Sequence, residues 1–185
     1  MEDYRINLNY AKALFLVASD MGQLDAVCSD MRTVSNVCSQ NHILGTLFAN
    51  PVIREGKKVA VLSDLFSERV SKISMLFLAF VVRKRRAVNL KGIANAFLQL
   101  YRDENNIVLS TLVTASEVGD DVKQAVCDKV GNHTGKQVEL TTKVDPSIVG
   151  GFSVSYDNNM YDARISSQIA RLRKEFSKNV YESKL

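Results

Sequence analysis

Residues 93–114 read IANAFLQLYRDENNIVLSTLVT, and the spacing of their apolar positions changes at Asn105-Asn106. Ahead of that pair, Ile93, Ala96, Phe97 and Leu100 recur at steps of three and four, with Tyr101 beside them, which is one face of a helix expected over 89–104. Behind it, Ile107–Thr114 is rich in β-branched residues and bounded by polar turn residues, the pattern of a strand. A helical half therefore gives way to a half that contains strands, with the boundary at 103–106.

Working back toward the N-terminus, the helical pattern persists. Leu8, Ala11, Leu14, Phe15 and Ala18 mark one stripe of a first helix over 4–20, and Tyr10, Ala13 and Val17 add a second stripe beside it. Two adjoining stripes suit a helix contacted on two sides, by its own domain and by something else, or a helix central to a bundle. Met21-Gly22-Gln23 interrupts it, and Leu24, Val27, Met31, Val34 and Cys38 carry a second helix. Leu44, Leu47 and Phe48 form a short third, and Asn50-Pro51 is a turn signal because proline biases the residue before it out of the helical region. Val59, Leu62, Leu65 and Phe66 give a fourth. The fifth, over 70–86, contains MLFLAFVV from Met75 to Val82, which leaves no polar face over two turns and predicts burial almost all round. Six segments with short connections predict a six-helix bundle over 1–105.

Toward the C-terminus, Asp120 and Asp121 open a helix whose face is Val122, Ala125, Val126, Lys129 and Val130, the acids favouring the positive end of the helix dipole. Val138, Leu140, Thr142 and Val144 alternate with polar residues, as do Phe152, Val154 and Tyr156 across the turn at Asp145-Pro146-Ser147, so these two strands are expected to pair antiparallel. A last helix carries Ile165, Ile169, Leu172 and Phe176 at steps of four, three and four, with Arg171, Arg173, Lys174 and Lys178 loading its final turns. Residues 106–185 thus predict a small α/β domain of strand, helix, hairpin and helix, and the whole chain is mainly α.

Composition excludes several function classes. With 185 residues, 46% apolar and 24% charged, the chain suits a globular protein of one large or two small domains. Residues 1–105 hold 14 Lys+Arg against 10 Asp+Glu, while 106–185 balance at 10 against 10. That excess is weaker than the basic stripe of a dedicated nucleic-acid binder, although Arg83-Lys84-Arg85-Arg86 keeps an RNA-binding bundle as the alternative function. The favoured reading of the run is that it closes the apolar fifth helix against its dipole. Cys28, Cys38 and Cys127 lack the close spacing of zinc or redox motifs and are expected to be reduced thiols; His42 and His133 have no ligands at metal spacing. No cofactor or metal is expected. Gly131 to Gln137, GNHTGKQ, imitates a phosphate loop, but its glycines are too close, Gln137 replaces the hydroxyl, and a helix precedes it where a strand is needed. No GxSxG elbow is present, so nucleophilic catalysis has no support. The most apolar stretch, Ile73 to Val82, is about half the length of a membrane span. Residues 1–20 show neither a signal-peptide core nor an acid-free transit peptide. Gly150-Gly151 before a strand predicts a bend or a close backbone approach.

Several stretches together resemble one family. YAKALF from Tyr10 to Phe15 is similar to the opening helix of the δ subunits of F-type ATP synthases, relatives of the mitochondrial oligomycin-sensitivity-conferring protein. Asn50-Pro51, Arg86 with Leu90, Ile93 and Phe97, and LVTA within Thr111 to Ser116 follow in the family's order. The strongest match is Val144-Asp145-Pro146-Ser147-Ile148-Val149-Gly150-Gly151-Phe152, then Tyr161-Asp162, then Ile165-Ser166-Ser167-Gln168-Ile169-Ala170-Arg171-Leu172. One departure is Ala163-Arg164, where the family usually follows the aspartate with Gly-Ser; it bears on turn geometry and local charge.

The resemblance implies a stator connector with no reaction of its own, on the cytoplasmic face of a bacterial plasma membrane and touching the membrane only through its complex. It implies that 1–105 binds the N-terminal helices of the alpha subunits in a groove between the first and fifth helices, at Tyr10, Ala13, Phe80 and Arg86. It implies further that 106–185 meets the peripheral stalk b subunits, at Phe152, Asp162, Ile165 and Ile169. A helix-in-groove contact is a physically apt way to resist torque, since it offers large apolar area with little reorganisation.

Overall fold

The computed structural model describes residues 2–148, 150–157 and 159–177; Val149 and Lys178, singled out above, lie outside them. The chain forms two compact units, 1–105 and 106–185. It is mainly helical with a small four-stranded sheet.

The first unit contains α1 (Glu2–Asp20), α2 (Leu24–Gln40), α3 (His42–Ala49), α4 (Glu55–Phe66), α5 (Lys72–Arg83) and α6 (Leu90–Glu104), with a single 3-10 turn at Ala87–Asn89. One stripe of α1, Ala11, Leu14 and Ala18, is buried together with Val27, Met31 and Val34 of α2, Leu62 and Phe66 of α4, Leu78 and Val81 of α5, and Ile93 and Phe97 of α6. Both α1 and α2 pack mainly along α6. The Phe15 and Phe97 rings meet at 5.9 Å, and the Tyr101 hydroxyl donates to Asp25 Oδ1 at 2.6 Å. That bond, with some desolvation, pushes the Tyr101 phenol up to about 12.

The α5 helix is shorter and barer than its sequence predicts. Instead of being covered all round, it leaves Leu76 72% and Phe80 47% exposed. Its inner face, Ser74, Leu78, Val81 and Val82, carries the burial, so the run without polar residues serves a core on one side and an open surface on the other. It stops at Arg83 because Arg85 turns into the left-handed region (φ 59°), with Arg85 N–H donating to Val82 O and Arg86 N–H to Val81 O. Those are the two bonds of a Schellman cap, a position usually given to glycine.

In the second unit the order along the chain is β1 (Ile107–Thr114), α7 (Asp120–Thr134), β2 (Gln137–Val144), β3 (Phe152–Tyr156), β4 (Asn159–Asp162) and α8 (Ile165–Ser177). The expected hairpin between β2 and β3 does not form. The sheet order is β2-β1-β3-β4, with β2 parallel to β1 and β3 antiparallel to it. Alternation identified the strands but not their neighbours. A strand, helix, strand crossover through α7 lays β2 parallel beside β1, and residues 145–151 carry the chain past the end of β1, where Asp145 N–H donates to Thr114 O at 2.9 Å. The hairpin partner of β3 is β4, whose four residues NMYD gave no strand signal. Leu112 of β1, Val126 and Val130 of α7 and Val154 of β3 form the buried centre between α7 and the sheet.

Gly151 serves both expectations at once. Its φ is +83°, and a Cβ there would run into the carbonyl oxygen of Ala163, so only glycine lets the turn into β3 pass the turn into α8.

Candidate functional site

The second stripe of α1 is uncovered by the fold itself. Tyr10, Ala13 and Val17, with Asn9, Leu14 and Met21, form one wall of an open groove of about 550 Å³ whose other wall is Ile73, Leu76, Phe77 and Phe80 of α5. From Asn9 to Met21 the groove follows α1 for about 18 Å, at 1.5 Å per residue, roughly three turns of a docked helix. The Tyr10 and Phe80 rings meet across it at 6.3 Å, tilted by 52°. Lys84 places its ammonium 5.5 Å from the centre of the Phe80 ring, leaving a cation at that edge. Of the four residues expected here, Tyr10, Ala13 and Phe80 line the groove, whereas Arg86 lies past the end of α5 and is not part of the lining. Val17, expected on the second stripe, lines the groove as well, and Leu76 was missed as a groove residue. The signal available for Leu76 was its place on α5 opposite Leu78.

The residues expected to face a stalk fall into two places. Phe152 lines a second apolar groove of about 470 Å³ together with Val122, Val126, Val130, Tyr156 and Tyr161, and its ring lies 6.1 Å from that of Tyr161. Asp162 instead ends β4, and Ile165 and Ile169 lie on α8, which starts three residues later. The Asp162 carboxylate accepts from Arg164 N–H (3.0 Å), Nε (2.9 Å) and Nη2 (2.7 Å), and from Ser167 Oγ (2.7 Å). The fork from Arg164, then its backbone N–H, then Ser167 hold this carboxyl far below the usual aspartate value. The Arg164 departure from the family pattern therefore supplies the clasp on which α8 begins. Beyond it, Ile165, Ile169, Leu172 and Phe176 all remain exposed, Phe176 by 86%.

The other candidates have structural explanations. Gly131 to Thr134 of GNHTGKQ end α7, Gly135 closes the helix in the left-handed conformation, and Gln137 opens β2. In the basic run, Arg85 pairs with Glu55 at 2.9 Å and Lys84 sits on Phe80. Burial pushes the Cys38 thiol up, against reactivity. Among the described residues no cluster of His, Cys, Asp and Glu could hold a metal, and no helix is long and apolar enough to cross a membrane.

Comparison with known proteins agrees with this architecture. A family model described as ATP synthase delta (OSCP) subunit matches residues 6–176. ATP synthase subunit delta of Microcystis aeruginosa is 37% identical over 164 residues, covering 88% of this chain and 90% of that protein. The subunit of the same name from Lactobacillus johnsonii is 35% identical over 92% of this chain and 93% of its own length. Its counterpart in Prochlorococcus marinus subsp. pastoris is 31% identical over 91% and 94%. A chain in the cryo-EM structure of the Toxoplasma gondii mitochondrial ATP synthase hexamer shares the fold, with a TM-score of 0.69 and 22% identity over 92% of this chain and 96% of that one. By the extent of these matches, the chain belongs to the ATP synthase delta (OSCP) subunit family.

Proposed function

We propose that the chain is a non-catalytic stator connector of a proton-translocating F-type ATP synthase, joining the catalytic head to the peripheral stalk so that rotation is coupled to ATP synthesis. In this reading 1–105, a six-helix bundle, binds the head, and 106–185 binds the stalk. The observation that carries it is the groove between α1 and α5, whose apolar side chains stand open to solvent over three turns of helix. An apolar face of an amphipathic helix fits such a groove, and the N-terminal helix of the alpha subunit is the proposed occupant. The second apolar groove at Phe152 and the bare stripe of α8 offer the stalk b subunits two apolar patches on the same unit. The complex operates at the cytoplasmic face of a bacterial plasma membrane, which this chain meets only through its partners.

Titrating a synthetic peptide of the first twenty or so alpha-subunit residues into the full chain tests the head contact. The expected outcome is saturable binding at micromolar peptide, insensitive to moderate salt. Absence of binding, together with RNA binding of steep salt dependence, would replace this reading with an RNA-binding bundle. Adding the chain to synthase depleted of its own delta subunit is expected to restore coupled ATP synthesis.

A further inference from the structure

We propose that Asp30 is the positioning residue of the α1/α5 groove: its carboxylate, reaching from α2, fixes where α5 starts and so how wide the groove stands. The inference rests on the helix-docking reading above and adds to it a residue outside the groove lining.

Asp30 is 8% exposed, on the buried side of α2. Its Oδ2 accepts three hydrogen bonds from the first turn of α5: Ser71 N–H at 2.9 Å, Ser71 Oγ at 2.6 Å and Ser74 Oγ at 2.7 Å. Ser74 is fully buried, and Ser71 is the N-cap of α5, its own hydroxyl oxygen accepting from Ser74 N–H only at 3.4 Å. The strong capping bonds of α5 therefore come from another helix. A carboxylate at this end also meets the positive pole of the α5 dipole.

The clamp matters to the groove because the two walls scarcely pack on each other. The α1 wall lies on α6, and α5 packs chiefly on α4. Ring contact between Tyr10 and Phe80 joins the walls at one place. The position of Ile73, between the two clamped serines, and of Leu76, two residues past the second, is set by where Asp30 holds the start of α5. A groove of fixed width docks a helix without first spending binding free energy on ordering the wall.

The test measures alpha-subunit peptide affinity by calorimetry on the full chain, with methyl NMR spectra of the free protein. Asp30→Ala is expected to lower affinity roughly tenfold and Ser74→Ala roughly threefold, consistent with loss of charge-assisted hydrogen bonds. Asp30→Asn, which keeps an acceptor oxygen, should fall between wild type and Asp30→Ala. The Ile73 and Leu76 methyl signals should move in the Asp30 variants while that of Ile93 stays. Ile93→Val, a core change away from the groove that lowers stability, should leave affinity within about twofold. Should Asp30→Ala fail to fold, Ser74→Ala and Asp30→Asn decide the matter. Affinities within twofold of wild type for both, or an equal loss in Ile93→Val, overturn the proposal. If the wild type itself does not bind, the docking reading fails; unmoved Ile73 and Leu76 methyls would then overturn the Asp30 clamp on their own.

Discussion

Ala13 lies exposed in the α1 wall of an apolar groove, so a charge there meets solvent in the free chain and would meet a desolvated surface in the proposed complex. Ala13→Asp is expected to abolish alpha-subunit peptide binding while shifting the melting temperature by no more than a few degrees, read by calorimetry and circular dichroism. Asp162 makes a pH prediction of definite sign. Its folded pKa is depressed by Arg164 and Ser167, so the clasp contributes fully above the ordinary value of 3.8 and is lost only as the pH falls through the lower folded value. At about pH 3, where a free aspartate is largely protonated, the Asp162 side-chain carbon should still report a carboxylate by NMR. Arg164→Ala should return that titration toward the ordinary value and fray the first turn of α8.

At the scale of the element, the C-terminal cap of α5 holds an arginine in a conformation that disfavours side chains. Arg85→Gly is expected to stabilise the first unit by up to about 1 kcal/mol, since the left-handed cost removed exceeds an exposed pair with Glu55. Chemical denaturation checks it. The same helix marks the limit of what was legible in the sequence. Period alone located the helices, because Ile93, Ala96, Phe97 and Leu100 can share a core only on one helical face. It could not tell whether an all-apolar segment is wrapped all round by its own chain or left partly open to solvent, and α5 proved to be the second kind. The double stripe of α1 carried that information, and the groove forms where Tyr10, Ala13 and Val17 meet α5. Strand partners were illegible for a different reason. Alternation in Val138 to Val144 and Phe152 to Tyr156 specifies a face, whereas neighbours are decided by the α7 crossover and by a connection long enough to pass β1. The role of Arg164 depended on a side chain folding back two residues, which no spacing rule announces.

For the molecule as a whole, the two units differ in how much apolar surface they bury. The first closes over aromatic and aliphatic residues from all its helices, while the second centres on Leu112, Val126, Val130 and Val154 and leaves α8 uncovered. Stability scales with buried apolar area, so thermal unfolding is expected in two steps, residues 106–185 first, with hydrogen exchange fastest in α8. Adding a stalk-derived helical peptide should raise the first transition and leave the second where it was. The groove on the first unit carries a consequence beyond binding. A chain made in excess of its partners exposes Leu76, Phe80 and Val17 with nothing to cover them, and at high concentration such surfaces find one another. Sedimentation of the purified chain should therefore reveal reversible self-association that the alpha-subunit peptide dissolves, and cells should clear surplus copies faster than assembled ones, which would tie the supply of this subunit to the number of heads awaiting it.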